Sequence, residues 1–162
     1  MILVAIGSNM PSPAGALPRA TCQAALEALR AIPGLRLLAA SRWYATAPIP
    51  AAEQPDYVNG MARLEGEMAP EALLGRLHAI EALAGRVRGE VNAARPLDLD
   101  IIAMDSTVRA GVPPILPHPR AHLRAFVLRP MQEVAPEWQH PLSGLTAAGM
   151  LAALPAQRIR PL

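Results

Sequence analysis

Asp98 and Asp100 stand two residues apart in the run Arg95-Pro96-Leu97-Asp98-Leu99-Asp100-Ile101-Ile102. On a strand, this spacing sends both carboxylates to one face and Leu97, Leu99 and Ile101 to the other, into a core. The chain has four aspartates, so half of them sit in this short run. Paired carboxylates can hold Mg²⁺ between themselves and the phosphates of a substrate, which is how that ion is usually bound. A solvated strand with polar alternation meets the same spacing equally well, so the neighbouring residues must decide.

Arginines surround the pair. Arg86 and Arg88 open the preceding loop, and Arg95 ends it three residues before Asp98. The chain has no lysine, so all 15 of its cationic side chains are arginine. A Walker A loop, a kinase-type strand lysine and a Schiff-base lysine are therefore excluded. Phosphates must be met by arginine, histidine, backbone amides and metal, and the planar guanidinium suits bidentate phosphate contacts. A third cluster, Leu116-Pro117-His118-Pro119-Arg120 with Arg124 beyond it, can also reach a polyphosphate. Farther upstream, Tyr57 and Asn59 share one face of a strand, offering a ring for stacking and an amide for hydrogen bonds. Taken singly, a core tyrosine and a turn asparagine explain that pair as well.

These groups need a scaffold to position them. At 162 residues the chain fits one domain, residues 1–162, with enough apolar residues (52%) to build a core. Residues 2–6 read as a strand stopped by Gly7-Ser8-Asn9, and 19–31 as a helix stopped by Pro33-Gly34. Residues 35–45 and 57–64 read as strands on either side of a proline-punctuated loop. A second helix opens at Ala69-Pro70-Glu71 and ends at Gly85. Residues 97–104 form the strand with the aspartates. Residues 126–131 form a short apolar segment, 145–154 read as helical, and the end reads as a polar tail. The order is βαββαβ with extra C-terminal elements. The expected fold is α+β, a ferredoxin-like core with an antiparallel sheet packed between helices.

Composition narrows the setting. The single cysteine, Cys22, leaves no internal disulfide and no thiolate zinc site, and its alanine-rich surroundings suggest a buried small hydrophobe. No apolar run approaches the ~20 residues that cross a bilayer, and the N-terminus lacks a basic leader region. A cytoplasmic protein is expected, with no membrane partner. A net charge of +2 does not favour nucleic acid strongly.

In this order, the pieces AIGSNM, YATAP, QPDYVN, IEALAGRVR, RPLDLDII, LPHPRAHLRAFVL and EVAPEW resemble the hydroxymethyldihydropterin pyrophosphokinase family, over about four-fifths of the chain. The resemblance implies transfer of pyrophosphate from ATP to the hydroxymethyl group of 6-hydroxymethyl-7,8-dihydropterin, giving AMP, in folate synthesis. It implies two Mg²⁺ ions on Asp98 and Asp100, and catalytic roles for Arg86, Arg95, Asp98 and Asp100. ATP would meet Glu81, Arg86, Arg88, Arg95, Ile101, His118 and Arg124. The pterin would meet Thr46, Pro48, Tyr57, Asn59 and Phe126, with Tyr57 and Phe126 flanking its ring. A monomer is expected, with a dimer as the alternative.

Two departures from the family pattern stand out. Many relatives carry a tryptophan shortly before the arginine matched by Arg95, whereas residues 89–94 contain no aromatic. The usual glycine-aspartate after Asn9 is replaced by Pro11-Ser12. Two rival readings follow: a paralogous pyrophosphokinase acting on another alcohol, and a nucleic-acid-binding module of the same fold. Tyr57, Asn59 and Phe126 oppose the first. The scarcity of aromatics and the aspartate pair oppose the second.

Overall fold

Apolar residues along Ile2–Ser8 (β1) are buried on both faces, because this strand runs through the middle of a sheet covered by helices on each side. The computed structural model describes residues 1–47, 55–86 and 95–162. Around β1 lie α1 (Pro18–Arg30), β2 (Leu35–Ala40), β3 (Tyr44–Thr46), β4 (Tyr57–Gly66), α2 (Pro70–Leu83) and β5 (Asp98–Met104). Beyond these come a 3₁₀ turn at Ala121–Leu123, α3 (Ala125–Val134), α4 (Ala147–Ala152) and β6 (Ile159–Pro161). Strands run in the order β5-β1-β4-β3-β6, with β2 also on β4, and every pairing is antiparallel. The α+β class and the antiparallel sheet between helices therefore agree with the sequence reading.

Side-chain alternation divides the core in two. Ile2, Val4 and Ile6 of β1, with Leu99 and Ile101 of β5, pack against α1 and α2. Leu3, Met61, Ile102 and Ala103 pack against α3 and α4 on the opposite face. A bulge makes this division possible in β5: Leu3 pairs with Ala103 and Val4 with Ile101, so Ile102 is the extra residue. The bulge sends Ile102 and Ala103 into the same layer. It lies past the aspartates, so their alternation is undisturbed. Cys22 is fully buried in the first layer, and loss of solvation pushes its thiol up to about 12, which leaves it inert.

The sequence expectation fails in three places. Gly7 and Ser8, read as part of the turn that stops the first strand, continue β1 and pair with β4. Residues 35–45 are not one strand, since Ser41–Trp43 interrupts it. The Ser41 hydroxyl accepts the Met61 N–H at 2.9 Å, and the Trp43 ring occupies the space a side chain at Gly60 would fill. The polar tail is not a tail, because Ile159–Pro161 pairs with β3, Thr46 opposite Ile159. Three residues ending in proline carry too little pattern to read as a strand. The segment at 126–131 proves to be the middle of α3, although Pro130 has no N–H to offer the carbonyl four residues back. Among the described residues, no helix is long and apolar enough to cross a membrane.

Candidate active site

Asp98 and Asp100 open β5, opposite Gly7 and Ala5 of β1, and both line a cleft of about 360 Å³. Leu97, Leu99 and Ile101 point into the core, as the alternation requires. Tyr57 and Asn59 reach the same cleft from β4, and Thr46 and Ala47 from the end of β3. Arg124 and Phe126 close it from the start of α3, and Arg95 from the residues before β5. One cavity thus gathers the aspartates, two arginines, both aromatic rings and the buried amide. Alanine makes up half the lining of a groove of about 410 Å³ between α1 and α2, and among the described residues no ionisable side chain lines it, so the chemistry belongs to the smaller cleft.

The amide end is rigid. Asn59 Nδ2 donates to Thr46 Oγ1 at 2.8 Å, and both residues are buried. This bond fixes which way the amide faces, leaving Asn59 Oδ1 oriented beside β1. Gly7, directly across the ladder, has no Cβ to meet it: one there would lie 2.9 Å from that oxygen. Sequence reasoning treated Gly7 only as part of a turn. Its role shows only once β1 and β4 are paired.

At the charged end, Glu81, Arg86, Asp98 and Arg95 form a chain of ion pairs. Glu81 is 1% exposed, bonds Arg86, and accepts the Leu99 N–H at 3.0 Å. Arg86 Nη1 also donates to Asp98 Oδ1 at 2.9 Å, and Arg95 stands 3.7 Å from Asp98. Arg86 is 12% exposed and engaged by two carboxylates, whereas Arg95 is 51% exposed and lines the cleft. The two arginines grouped together by sequence therefore differ: Arg86 holds β5 to α2, and Arg95 remains available to a ligand. Glu81 lies beneath the site rather than in its wall.

Burial and the neighbouring Asp98 push the Asp100 carboxyl up to about 6, against the opposing pull of Arg124 and Arg86. Two adjacent carboxylates with only partial neutralisation form a receptive place for a cation. Among the described residues no group of three or more His, Cys, Asp and Glu side chains converges. A two-carboxylate donor set suits Mg²⁺ that arrives with phosphates and keeps several waters, rather than an ion caged by protein alone.

His118 is half-buried, and its Nδ1 accepts the Arg120 N–H at 3.1 Å. Loss of solvation, helped by Arg124 and Arg120, lowers its pKa to about 4. It is neutral near pH 7, with Nε2 left to carry the proton, so it can offer a hydrogen bond but no charge. Arg124 lies with its guanidinium carbon 5.5 Å from the Phe126 ring centre. Ile101, expected on the nucleotide side, has its side chain in the core and does not line the cleft. Pro48, Arg88 and the aromatic-free stretch 89–94 lie outside the described residues. Leu123 and Gln157 also line the cleft, and no sequence signal pointed to either.

A sequence model of the 7,8-dihydro-6-hydroxymethylpterin-pyrophosphokinase (HPPK) family matches residues 3–136. A 2-amino-4-hydroxy-6-hydroxymethyldihydropteridine pyrophosphokinase of Pseudomonas aeruginosa is 40% identical over 159 residues, covering 98% of this chain and 94% of that protein. The protein of the same name from Haemophilus influenzae is 36% identical over 132 residues, 82% of this chain and 79% of its own. A solved structure described as HPPK-DHPS in complex with substrates superposes with a TM-score of 0.63 at 11% identity, which is a likeness of fold. The match spans 94% of this chain and 43% of that one.

Proposed function

The chain belongs to the 7,8-dihydro-6-hydroxymethylpterin-pyrophosphokinase family and transfers pyrophosphate from ATP to hydroxymethyldihydropterin in folate synthesis, and we propose that the cleft of Asp98, Asp100, Asn59 and Phe126 performs this transfer. The observation that carries the assignment is the shared cleft itself. Its carboxylate and guanidinium end lies beside an end of amide and aromatic rings, as a phosphate donor and a flat heterocycle would require.

At the ring end, Asn59 presents a fixed amide to the donor–acceptor edge of the pterin, while Tyr57 and Phe126 supply aromatic surface. Thr46 holds the amide in place. At the other end, Arg95 and Arg124 meet the ATP phosphates, and His118 adds a neutral hydrogen bond. Glu81 acts through Arg86, which keeps Asp98 at the mouth of the cleft. Asp98 and Asp100 would hold Mg²⁺, which neutralises charge on the phosphate oxygens when bound.

The hydroxymethyl oxygen attacks the β-phosphorus in line. A new oxygen–phosphorus bond forms as the bond from the β-phosphorus to the oxygen bridging to the α-phosphate breaks; the hydroxyl proton passes to solvent, and AMP leaves. No covalent enzyme intermediate is required, so most of the acceleration comes from aligning two bound substrates. The cationic side chains contribute as negative charge shifts toward the leaving oxygen.

Asp98→Ala and Asp100→Ala test the assignment by AMP release from ATP, with the pterin alcohol present and omitted. Each variant should lose orders of magnitude in turnover while remaining folded by circular dichroism. Near-normal AMP formation in either variant would remove that aspartate from the reaction.

A further inference from the structure

The C-terminal segment enters the cleft through one side chain. Gln157 Oε1 accepts the Ala125 N–H at 2.9 Å, and Gln157 Nε2 donates to the Leu123 carbonyl at 3.1 Å. These two backbone groups flank Arg124, the N-cap residue of α3, whose own side chain makes no cap. The first N–H groups of a helix lack intrahelical partners, and Ser, Thr, Asp or Asn at the N-cap usually satisfies one of them. Here an arginine occupies that position, and an amide 32 residues away supplies the acceptor.

The rest of the segment is anchored on the opposite wall. Ile159 pairs with Thr46, which accepts the Asn59 amide. Gln157 lines the cleft beside Arg124 and Phe126, and also a smaller cavity of about 240 Å³ that shares Thr46, Ala47 and Phe126 with it. One short stretch thus ties the Arg124–Phe126 wall to the Thr46–Asn59 wall.

We propose that Gln157 is a positioning residue of the pterin pocket: by clamping the backbone on both sides of Arg124, it sets the Phe126 ring and the Arg124 guanidinium in their working places. The inference rests on the assignment of Phe126 and Arg124 given above. Sequence could not suggest it, because a glutamine in a polar C-terminal stretch has no local pattern to mark it.

Steady-state kinetics with both substrates varied, on Gln157→Ala, Gln157→Glu and the control Phe126→Ala, test the proposal together with amide exchange at Ala125. Gln157→Ala should raise the pterin KM about three- to tenfold, the scale of one or two lost hydrogen bonds, with a smaller drop in kcat. It should also unprotect the Ala125 amide. Gln157→Glu keeps an acceptor for that amide, where a helix N-terminus favours negative charge, but sets a carboxylate oxygen against the Leu123 carbonyl. It should leave the Ala125 amide protected while the pterin KM still rises, because one arm of the clamp is lost. Unchanged kinetic constants in Gln157→Ala, whatever its stability, would overturn the proposal, as would a pterin KM in Gln157→Glu equal to that of the parent. An unaltered pterin KM in Phe126→Ala would instead overturn the pocket assignment beneath it.

Discussion

A Cβ placed on Gly7 would stand 2.9 Å from Asn59 Oδ1, so the bare backbone at position 7 is what leaves room for the Asn59 amide. The two residues are cross-strand partners in β1 and β4. The amide has little freedom to yield, since Asn59 is buried and bonded to Thr46. Gly7→Ala should therefore displace the group that reads the pterin edge. The pterin KM should rise about tenfold, equivalent to ~1.4 kcal/mol, with the ATP KM nearly unchanged. Combining Gly7→Ala with Asn59→Ala should add little beyond Asn59→Ala alone, because both act through one amide. Full additivity in the double variant would contradict this.

The Asp100 carboxyl makes the metal-free protein less stable as pH rises. Its pKa is pushed from the ordinary 3.8 up to about 6, so between those values the folded chain holds a proton that the unfolded chain has released. Stability from this group is greatest below about pH 4, declines as pH rises to 6, and stays low above it. Asp100→Asn should flatten that part of the profile and raise stability at pH 8 by ~1–2 kcal/mol in the presence of a chelator, while abolishing turnover. Thermal denaturation of both proteins from pH 4.5 to 8 measures the difference. A parallel profile in the variant would count against a raised Asp100.

Glu81 should matter more to stability than to ligand contact. Its side chain is buried and holds both Arg86 and the Leu99 amide. Glu81→Ala leaves the 12% exposed Arg86 with only Asp98 as a partner and orphans the Leu99 N–H, at a cost of about 1–3 kcal/mol. Glu81→Gln keeps one acceptor and should cost less. Urea denaturation separates the two, and equal midpoints for Glu81→Ala and the parent would disprove the support role.

Phe126 and Arg95 should separate the two substrates. Phe126→Ala removes ring surface and should weaken pterin binding by about 1–3 kcal/mol, taking base–aromatic stacking as the scale. Arg95→Ala should instead lower kcat far more than pterin affinity, because a phosphate contact tightens as charge develops. The half-exposed state of Arg95 and its 3.7 Å separation from Asp98 make it the arginine with room to do this. Kinetics that raised only the ATP KM in Phe126→Ala would invert the assignment of the two ends.

What the sequence determined by itself was local. The period of two in Leu97–Ile101 puts Asp98 and Asp100 on one face and their neighbours in the core, whatever the rest of the chain does. The same rule places Tyr57 and Asn59 side by side on β4. Helix breakers and proline positions marked α1 and α2 almost to the residue, because these signals lie within the segments they bound. The ordered motifs then carried the family resemblance, and with it the reaction. What only the tertiary structure decided were choices between distant partners. Arg86 and Arg95 are equal cations in sequence, but burial beside Glu81 ties one down and leaves the other half-exposed. Gly7 matters because β4 lies across from it, and Gln157 because the chain's end returns to β3 and the start of α3. Periodicity is written in consecutive residues, whereas burial, pairing and capping depend on which elements meet, and that is settled only when the sheet closes.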